Sequence, residues 1–328
     1  MQAAIVTDSG VQVRDVPQPQ PGANEVLVRV RASGLNRADL GVAAGHAHGR
    51  SGGAGTILGL EFAGEIVACG AEVPASLAPG MPVMCSGGGG YAEYAVADWG
   101  RAMPLPTRLV ENNMGWAQAA TLPIALQTMH DAIVTNGALK PGQSILIQGA
   151  SSGVGLMGMQ IAKAMGASLV MGSSTNPERR ARLAEFGCDL AIDTSDAAWP
   201  DRVLEATGGR GVDVIVDQVS ASVANANMRA CAILGRIVNV GRLGGNRGEF
   251  DFDLHALRRI AYIGVTFRTR SVEEVREINR RMRADLWDAV EAGSLALPID
   301  RTFPLAEAAE ALAHMKANRH FGKIVLLG

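Results

Sequence analysis

The sequence predicts a two-part α/β protein, in which a doubly wound parallel-sheet domain is inserted into a mostly antiparallel β domain. Three observations carry that expectation. A strand-rich first third gives way near residue 115 to alternating strands and helices, and a glycine-rich turn joins the first of those strands to its helix. The final stretch, from residue 268, returns to the texture of the first part.

In the first part, QAAIV, VQVRDV, EVLVRVRASG, LEFAGEIVACG and YAEYAVAD read as strands, and PQPQPG at 17–22 interrupts them. The segment from His46 to Thr56 is rich in glycine and small residues and reads as a surface loop. WAQAATLPIALQTMHDAIV is a helical candidate broken by Pro123. Six short apolar strands then follow: QSILIQG, SLVMGSS, DLAIDT, GVDVIVDQV, RIVNVG and YIGVTF. Helical candidates separate them, including PERRARLAEFG and segments near 222–232 and 254–259. Such alternation requires a largely parallel sheet with helices on both faces. The predicted boundaries are 1–118, 119–267 and 268–328, the first and last pieces forming one discontinuous domain. That last piece carries the helical SVEEVREINRRMRADLWDAVEAG and FPLAEAAEALAHMKANR, then the strand KIVLL.

With 48% hydrophobic and 19% charged residues, the 328-residue chain is folded, and extensive disorder is excluded. Thirty basic residues against 32 acidic ones leave a net charge of −2, which gives no field to gather nucleic acid or an anionic membrane. Arg179, Arg180 and Arg182 form the clearest basic cluster, and as a cluster they read as a solvated helix face. Cys69, Cys85, Cys188 and Cys231 show no short pairing, and MQAAIVTDSG has no basic start followed by an apolar signal core. A cytoplasmic protein with no membrane partner is expected.

QSILIQGASSGVGLMG carries the sharpest chemical signal. It sets Gly153, Gly155 and Gly158 in GxGxxG spacing, just after a strand and at the start of a helix. Small residues permit close approach of a pyrophosphate, and backbone N–H groups at a helix N-terminus bind its oxygens. Ser151, Ser152, Gly153, Val154 and Gly155 are therefore cofactor-binding candidates. Absence of GK[ST] argues against a phosphate-transfer loop, and the serines lack the GxSxG spacing of a nucleophile elbow. The next strand ends in MGSSTNPERR, with no acid through Asn176 to accept ribose hydroxyls. Ser173, Ser174 and Arg179 can instead satisfy a 2'-phosphate, which favours NADPH over NADH. The histidines show no HExxH and the cysteines no CxxC, so no metal is expected.

Taken together, ASGLNRADL at 32–40, ILGLEFAGEI at 57–66, GGYAEYAV at 89–96, QGASSGVG at 148–155 and NRHFGKIVL at 318–326 resemble one family. It is the zinc-free quinone oxidoreductase branch of the medium-chain dehydrogenase/reductase superfamily, with the p53-inducible quinone oxidoreductase-like group most similar. The resemblance implies a GroES-like substrate domain around a Rossmann NADPH-binding domain. It also implies a homodimer formed by continuing the nucleotide-domain sheet across a two-fold axis, here along the edge from Tyr262 to Phe267. Zinc-containing relatives place a cysteine and a histidine where this chain has Asn36 and Leu60, so a zinc-independent reaction is implied.

By the same resemblance, Asn36 is the catalytic candidate beside nicotinamide and substrate, with a loop-stabilising amide as the bland reading. Thr121 shapes the nicotinamide pocket, Gly241, Arg242 and Leu243 follow the strand that reaches the cofactor, and Phe267 borders the nicotinamide. Lys323 is either a cofactor contact or a structural lysine. The tyrosine that several quinone oxidoreductases carry after NxxD is missing from AAGHAHGRSGG, which leaves His46, His48, Arg50 or water as the proton source. The expected reaction is direct hydride transfer from NADPH to a small apolar quinone. Reduction of the carbon–carbon double bond of an α,β-unsaturated ketone or aldehyde is the chemical alternative, and a weakly catalytic cofactor-binding protein is the alternative of a different class.

Overall fold

The computed structural model describes residues 1–46, 52–110 and 114–328, and the chain divides into two units, 1–124 with 267–328, and 125–266. Mostly antiparallel strands organise the first unit. Here β1 (Gln2–Thr7) pairs with β2 (Gly10–Asp15), and β3 (Glu25–Gly34) is the longest strand, followed by helix α1 (Arg37–Ala43). Next come β4 (Glu61–Cys69), β5 (Pro82–Ser86), β6 (Tyr94–Asp98), β7 (Ala102–Pro104) and the short helices α2 (Thr107–Val110) and α3 (Gly115–Ala119). One edge of β3 pairs with β4, while the other is shared between β6 and a strand from the C-terminus. Phe62, Val26, Val28, Val83 and Cys85 close the core on this sheet.

The helical candidate across Pro123 resolves into two helices. α3 stops at Ala119, and α4 (Pro123–His130) begins on the proline, whose missing N–H costs nothing at a first helical position. A π-helical turn, Asp131–Asn136, extends it.

The second unit then alternates strictly. It contains β8 (Ser144–Gln148), α5 (Gly153–Ala164), β9 (Leu169–Ser173), α6 (Pro177–Ala181), β10 (Leu190–Ile192), α7 (Trp199–Ala206) and β11 (Val212–Asp217). α8 (Ala224–Ala230), β12 (Cys231–Asn239), α9 (Phe252–Arg258) and β13 (Ala261–Gly264) complete it. All five pairings are parallel, in the order β10-β9-β8-β11-β12-β13. β8 is buried at every residue and β11 at all but one, as strands covered on both faces must be. The order reverses between β8 and β11, and a crevice at the carboxyl ends of such strands is where this architecture takes ligands.

The C-terminal piece supplies α10 (Val272–Glu291), β14 (Ile299–Pro304), α11 (Ala308–Lys316) and β15 (Lys323–Leu327). β15 pairs antiparallel with the end of β3, joining Val325 to Gly34, so the first unit is built from both ends of the chain. Residues 119–124 lie in this unit, whereas the sequence reading gave them to the central domain. The physical reason is local: the Ile124 N–H donates to Glu61 Oε2 at 2.9 Å, tying this segment to β4.

Three elements differ from their sequence expectations. PERRARLAEFG forms only five helical residues and then a 3-10 turn ending at Gly187, whose φ of 86° stops it. The helix near 222–232 ends at Ala230, because Cys231 already pairs with Val212 in the sheet. YIGVTF pairs as a strand only through Gly264. Among the described residues, no helix is long and apolar enough to cross a membrane.

Candidate functional site

In the second unit, β8 ends at Gln148, and Gly149 takes φ 71° to turn the chain into α5. Ser152 caps the helix by accepting from Gly155 N at 3.0 Å, while its single hydroxyl proton is shared between Gly149 O and Gln218 Oε1, each at 3.0 Å. Gly153 and Val154 occupy the first two helical positions, where an N–H has no intrahelical acceptor. Two of the motif glycines, Gly155 and Gly158, have steric reasons. A Cβ on Gly155 would lie 2.7 Å from Ala150 Cα and from Gly149 O, and one on Gly158 would meet Met129 Sδ at 3.0 Å. Two free N–H groups at the start of a 12-residue helix, on a turn of small residues, fit a pyrophosphate.

A buried polar chain supports this turn from below. Gln148 Oε1 accepts from Ser173 Oγ at 2.6 Å, and Gln148 Nε2 donates to Asn227 Oδ1 at 2.7 Å. Asn227 in turn donates to Asp217 Oδ2 at 3.0 Å, and Asp217 Oδ1 accepts from the N–H groups of Val219 and Ser220. Burial pushes the Asp217 carboxyl above its ordinary value. Ser173 also accepts from Gly149 N at 3.0 Å and is 1% exposed, so its hydroxyl is spent on holding the turn. Ser174 is placed differently: its Oγ lies 3.1 Å from Ser151 Oγ, and its carbonyl accepts from Arg180 Nη1 at 2.8 Å. Arg180 also pairs with Asp193 at 3.0 Å, and half-buried Arg179 lies beside it on α6.

Beyond β12, a Cβ on Gly241 would lie 2.7 Å from Gln218 O, while Arg242 and Leu243 are exposed. Ser220, Asn239, Arg242, Glu249, Phe250 and Tyr262 line a cavity of about 190 Å³ nearby.

In the first unit, a second polar cluster is buried where β3, α1, β4 and β15 meet. Lys323, 4% exposed, donates to Glu61 Oε1 at 2.5 Å, Leu35 O at 2.8 Å and Asn36 Oδ1 at 3.0 Å, which uses all three of its donors. Asn36 Nδ2 donates to Glu61 Oε1 at 2.9 Å. Asn36 also caps α1, and its backbone N–H donates to Asp39 Oδ2 at 2.7 Å, the reciprocal half of a capping box. The Tyr91 hydroxyl donates to the same oxygen at 2.9 Å. Complete burial raises the Asp39 carboxyl to about 7 despite these bonds and the nearby Lys323, and burial together with Asp39 pushes the Tyr91 phenol up.

The structure thus joins Asn36 to Lys323 in one cluster and gathers Ser151, Ser152, Gly153, Val154, Gly155 and Ser174 at one turn. Thr121 is buried, with its hydroxyl donating to Gln118 O at 2.7 Å, and Phe267 carries the Arg270 guanidinium 5.8 Å from its ring centre. His46 is exposed, while His48 and Arg50 lie outside the described residues. Sequence reasoning missed Glu61, Asp39, Tyr91, Gln148 and Gln218. Glu61 had a readable signal, an acid flanked by Leu60 and Phe62 at the start of a largely apolar strand that also carries Glu65. Among the described residues, no group of three or more His, Cys, Asp or Glu side chains is arranged to hold a metal.

Two family descriptions match the chain: "Alcohol dehydrogenase GroES-like domain" at residues 22–107, and "Zinc-binding dehydrogenase" at residues 153–283. They match the two folds in the order just described. The chain is a protein of the medium-chain dehydrogenase/reductase superfamily. Its curated relatives are far larger, and the chain spans only a small part of their length. It is 29% identical over 309 residues to a mycocerosic acid synthase-like polyketide synthase of Mycobacterium tuberculosis, covering 93% of this chain and 14% of that protein. It is 30% identical over 307 residues to the phthioceranic/hydroxyphthioceranic acid synthase of the same species, covering 93% and 14%. Solved structures match over full length. A mycobacterial protein complexed with NADPH has 26% identity, covers 100% of both chains and gives a TM-score of 0.87. A quinone oxidoreductase of Pseudomonas syringae has 26% identity, the same coverage and a TM-score of 0.86.

Proposed function

We propose that this reductase catalyses two-electron reduction of a quinone, in which NADPH and one proton convert the acceptor to its hydroquinone. The nucleotide turn carries the reading, because it leaves the Gly153 and Val154 N–H groups for a pyrophosphate and is followed by a strand end with no carboxylate before Glu178. Likeness to a mycobacterial NADPH complex and to a Pseudomonas quinone oxidoreductase supports it. When bound, NADPH supplies the hydride equivalent. The chain's own residues bind and orient: the Gly149–Gly155 turn takes the pyrophosphate, and Ser174 with Arg179 takes the 2'-phosphate. Gly241, Arg242 and Leu243 shape the nicotinamide end, and the Asn36 carboxamide holds the acceptor oxygen. Asn36 and Leu60, standing at the two positions that zinc-containing relatives fill with ligands, support a zinc-independent reaction. Ser173 and Lys323 serve by fixing the turn and Asn36 respectively, since their hydrogen-bonding groups are already used.

Charge-assisted bonds to a phosphate contribute about 1.5–3 kcal/mol each. Arg179→Ala should therefore raise the Kd for NADPH ~10–100-fold while changing that for NADH less than ~3-fold, read by nicotinamide fluorescence titration. Equal losses would remove the selective role.

The finer assignments also belong to this proposal. Within the quinone oxidoreductase branch, the resemblance of ASGLNRADL, QGASSGVG and NRHFGKIVL supports the p53-inducible-like group. The four cysteines are free, which supports a reducing cytoplasm. A homodimer continues the sheet from β13, an edge strand flanked by Phe252 and Leu257, which are 76% and 72% exposed. Sedimentation equilibrium should give twice the chain mass at micromolar concentration, and a monomer would remove that part of the reading.

A further inference from the structure

We infer that Glu61 and Lys323 are positioning residues, a buried ion pair that locks the Asn36 carboxamide in one of its two flip orientations so that an Nδ2–H is presented to the acceptor oxygen. The inference rests on the quinone-reductase reading and deepens it. The two ends of an amide have nearly the same shape, so packing alone distinguishes them poorly, whereas charges do so strongly. Here Lys323 Nζ lies 3.0 Å from Asn36 Oδ1, and Glu61 Oε1 lies 2.9 Å from Asn36 Nδ2. Turning the amide over would set NH₂ against an ammonium and a carbonyl oxygen against a carboxylate.

The lock is itself held. Lys323 and Glu61 meet at 2.5 Å with side-chain exposures of 5% and 0%, where solvent screens little. The second Glu61 oxygen accepts from Ile124 N at 2.9 Å, and Leu35 O accepts from the ammonium at 2.8 Å. The cluster is also sterically closed, since a Cβ on Gly34 would lie 2.7 Å from Glu61 Oε1 and 2.3 Å from Ala120 O. Of the two Nδ2 hydrogens, one is committed to Glu61, and the other has only Gly34 O at 3.5 Å, the limit of a useful bond. That second hydrogen is the donor the ion pair aims.

The test is a kinetic cycle on the full chain, using whichever acceptor the wild-type enzyme reduces and counting kcat per NADPH-binding site, so that an unfolded fraction does not register. Lys323→Met alone strands the Glu61 charge, so the paired variant Glu61→Gln/Lys323→Met is measured beside it. In that pair, the introduced glutamine can turn its oxygen to Ile124 N and its amide to Asn36, which favours the flipped carboxamide. Expected are a kcat at least ~10-fold lower in the paired variant, an NADPH Kd within ~3-fold of wild type, and no more than ~2-fold further loss when Asn36→Ala is added. An unchanged kcat per site, or losses that multiply with Asn36→Ala, overturns the positioning role alone. No turnover by the wild-type enzyme with any quinone overturns the quinone-reductase reading, and no turnover with any quinone or enone overturns this inference with it.

Discussion

Gly155→Val weakens NADPH binding ~100-fold or more and lowers stability by about 1–3 kcal/mol, the cost of overpacking a closed contact. The expectation follows from where the side chain must go. Its Cβ would lie 2.7 Å from three backbone atoms, Ala150 Cα, Ala150 O and Gly149 O, none of which can rotate aside. Relief requires α5 to move away from the turn, and this also stretches the Ser152 cap, because the bond from Gly155 N to Ser152 Oγ sits on the same residue. The N–H groups of Gly153 and Val154 then leave the position in which they meet a pyrophosphate. Isothermal titration with NADPH and a denaturant melt check both halves. Wild-type affinity in a folded variant would show that the turn is not the pyrophosphate site.

Asp39→Asn should flatten the pH dependence of stability. Burial raises the folded-state carboxyl from 3.8 to about 7, so between those values the native protein binds more protons than the unfolded chain. The stabilisation is fully present below about pH 4 and is lost as pH rises through 7, which amounts to about 3 kcal/mol between pH 5 and 8. Groups facing the carboxyl are the Tyr91 hydroxyl, the Asn36 backbone N–H, and the charges of Lys323 and Glu61. An asparagine keeps an acceptor for both hydrogen bonds and carries no titration in this range. The free-energy gap between variant and wild type should therefore move in favour of the variant as pH rises from 5 to 8. Parallel stability curves would contradict a proton held by Asp39.

What could be read from the chain divides along physical lines. Parallel strands buried on both faces leave continuous apolar runs, so SILIQ and VDVIVD were legible, and the glycine spacing marked the turn between β8 and α5. Strand β5, Pro82–Ser86, sits between proline and glycine runs, and its pairing to β4 is a long-range fact that no local pattern records. The same holds at the site. Asn36 and Lys323 are 287 positions apart in sequence and meet only because β15 pairs with the end of β3. Motif resemblance nominated both residues but could not say that they touch, nor that Glu61 stands between them. Ser173 and Ser174 are adjacent and chemically identical, yet alternation of side chains sends the first into the Gln148 network and the second toward Ser151. Sequence alone gave them one role.

The central claim is tested most directly by initial-rate, product-resolved oxidation of NADPH across matched ortho-quinone, para-quinone and enone panels, with NADH as the cofactor control. The account predicts NADPH-preferring turnover in which one hydroquinone appears for each NADPH consumed. NADPH binding with no hydroquinone formed from any quinone would contradict it, and saturated carbonyl as the dominant product would move the reaction to the enone carbon–carbon double bond.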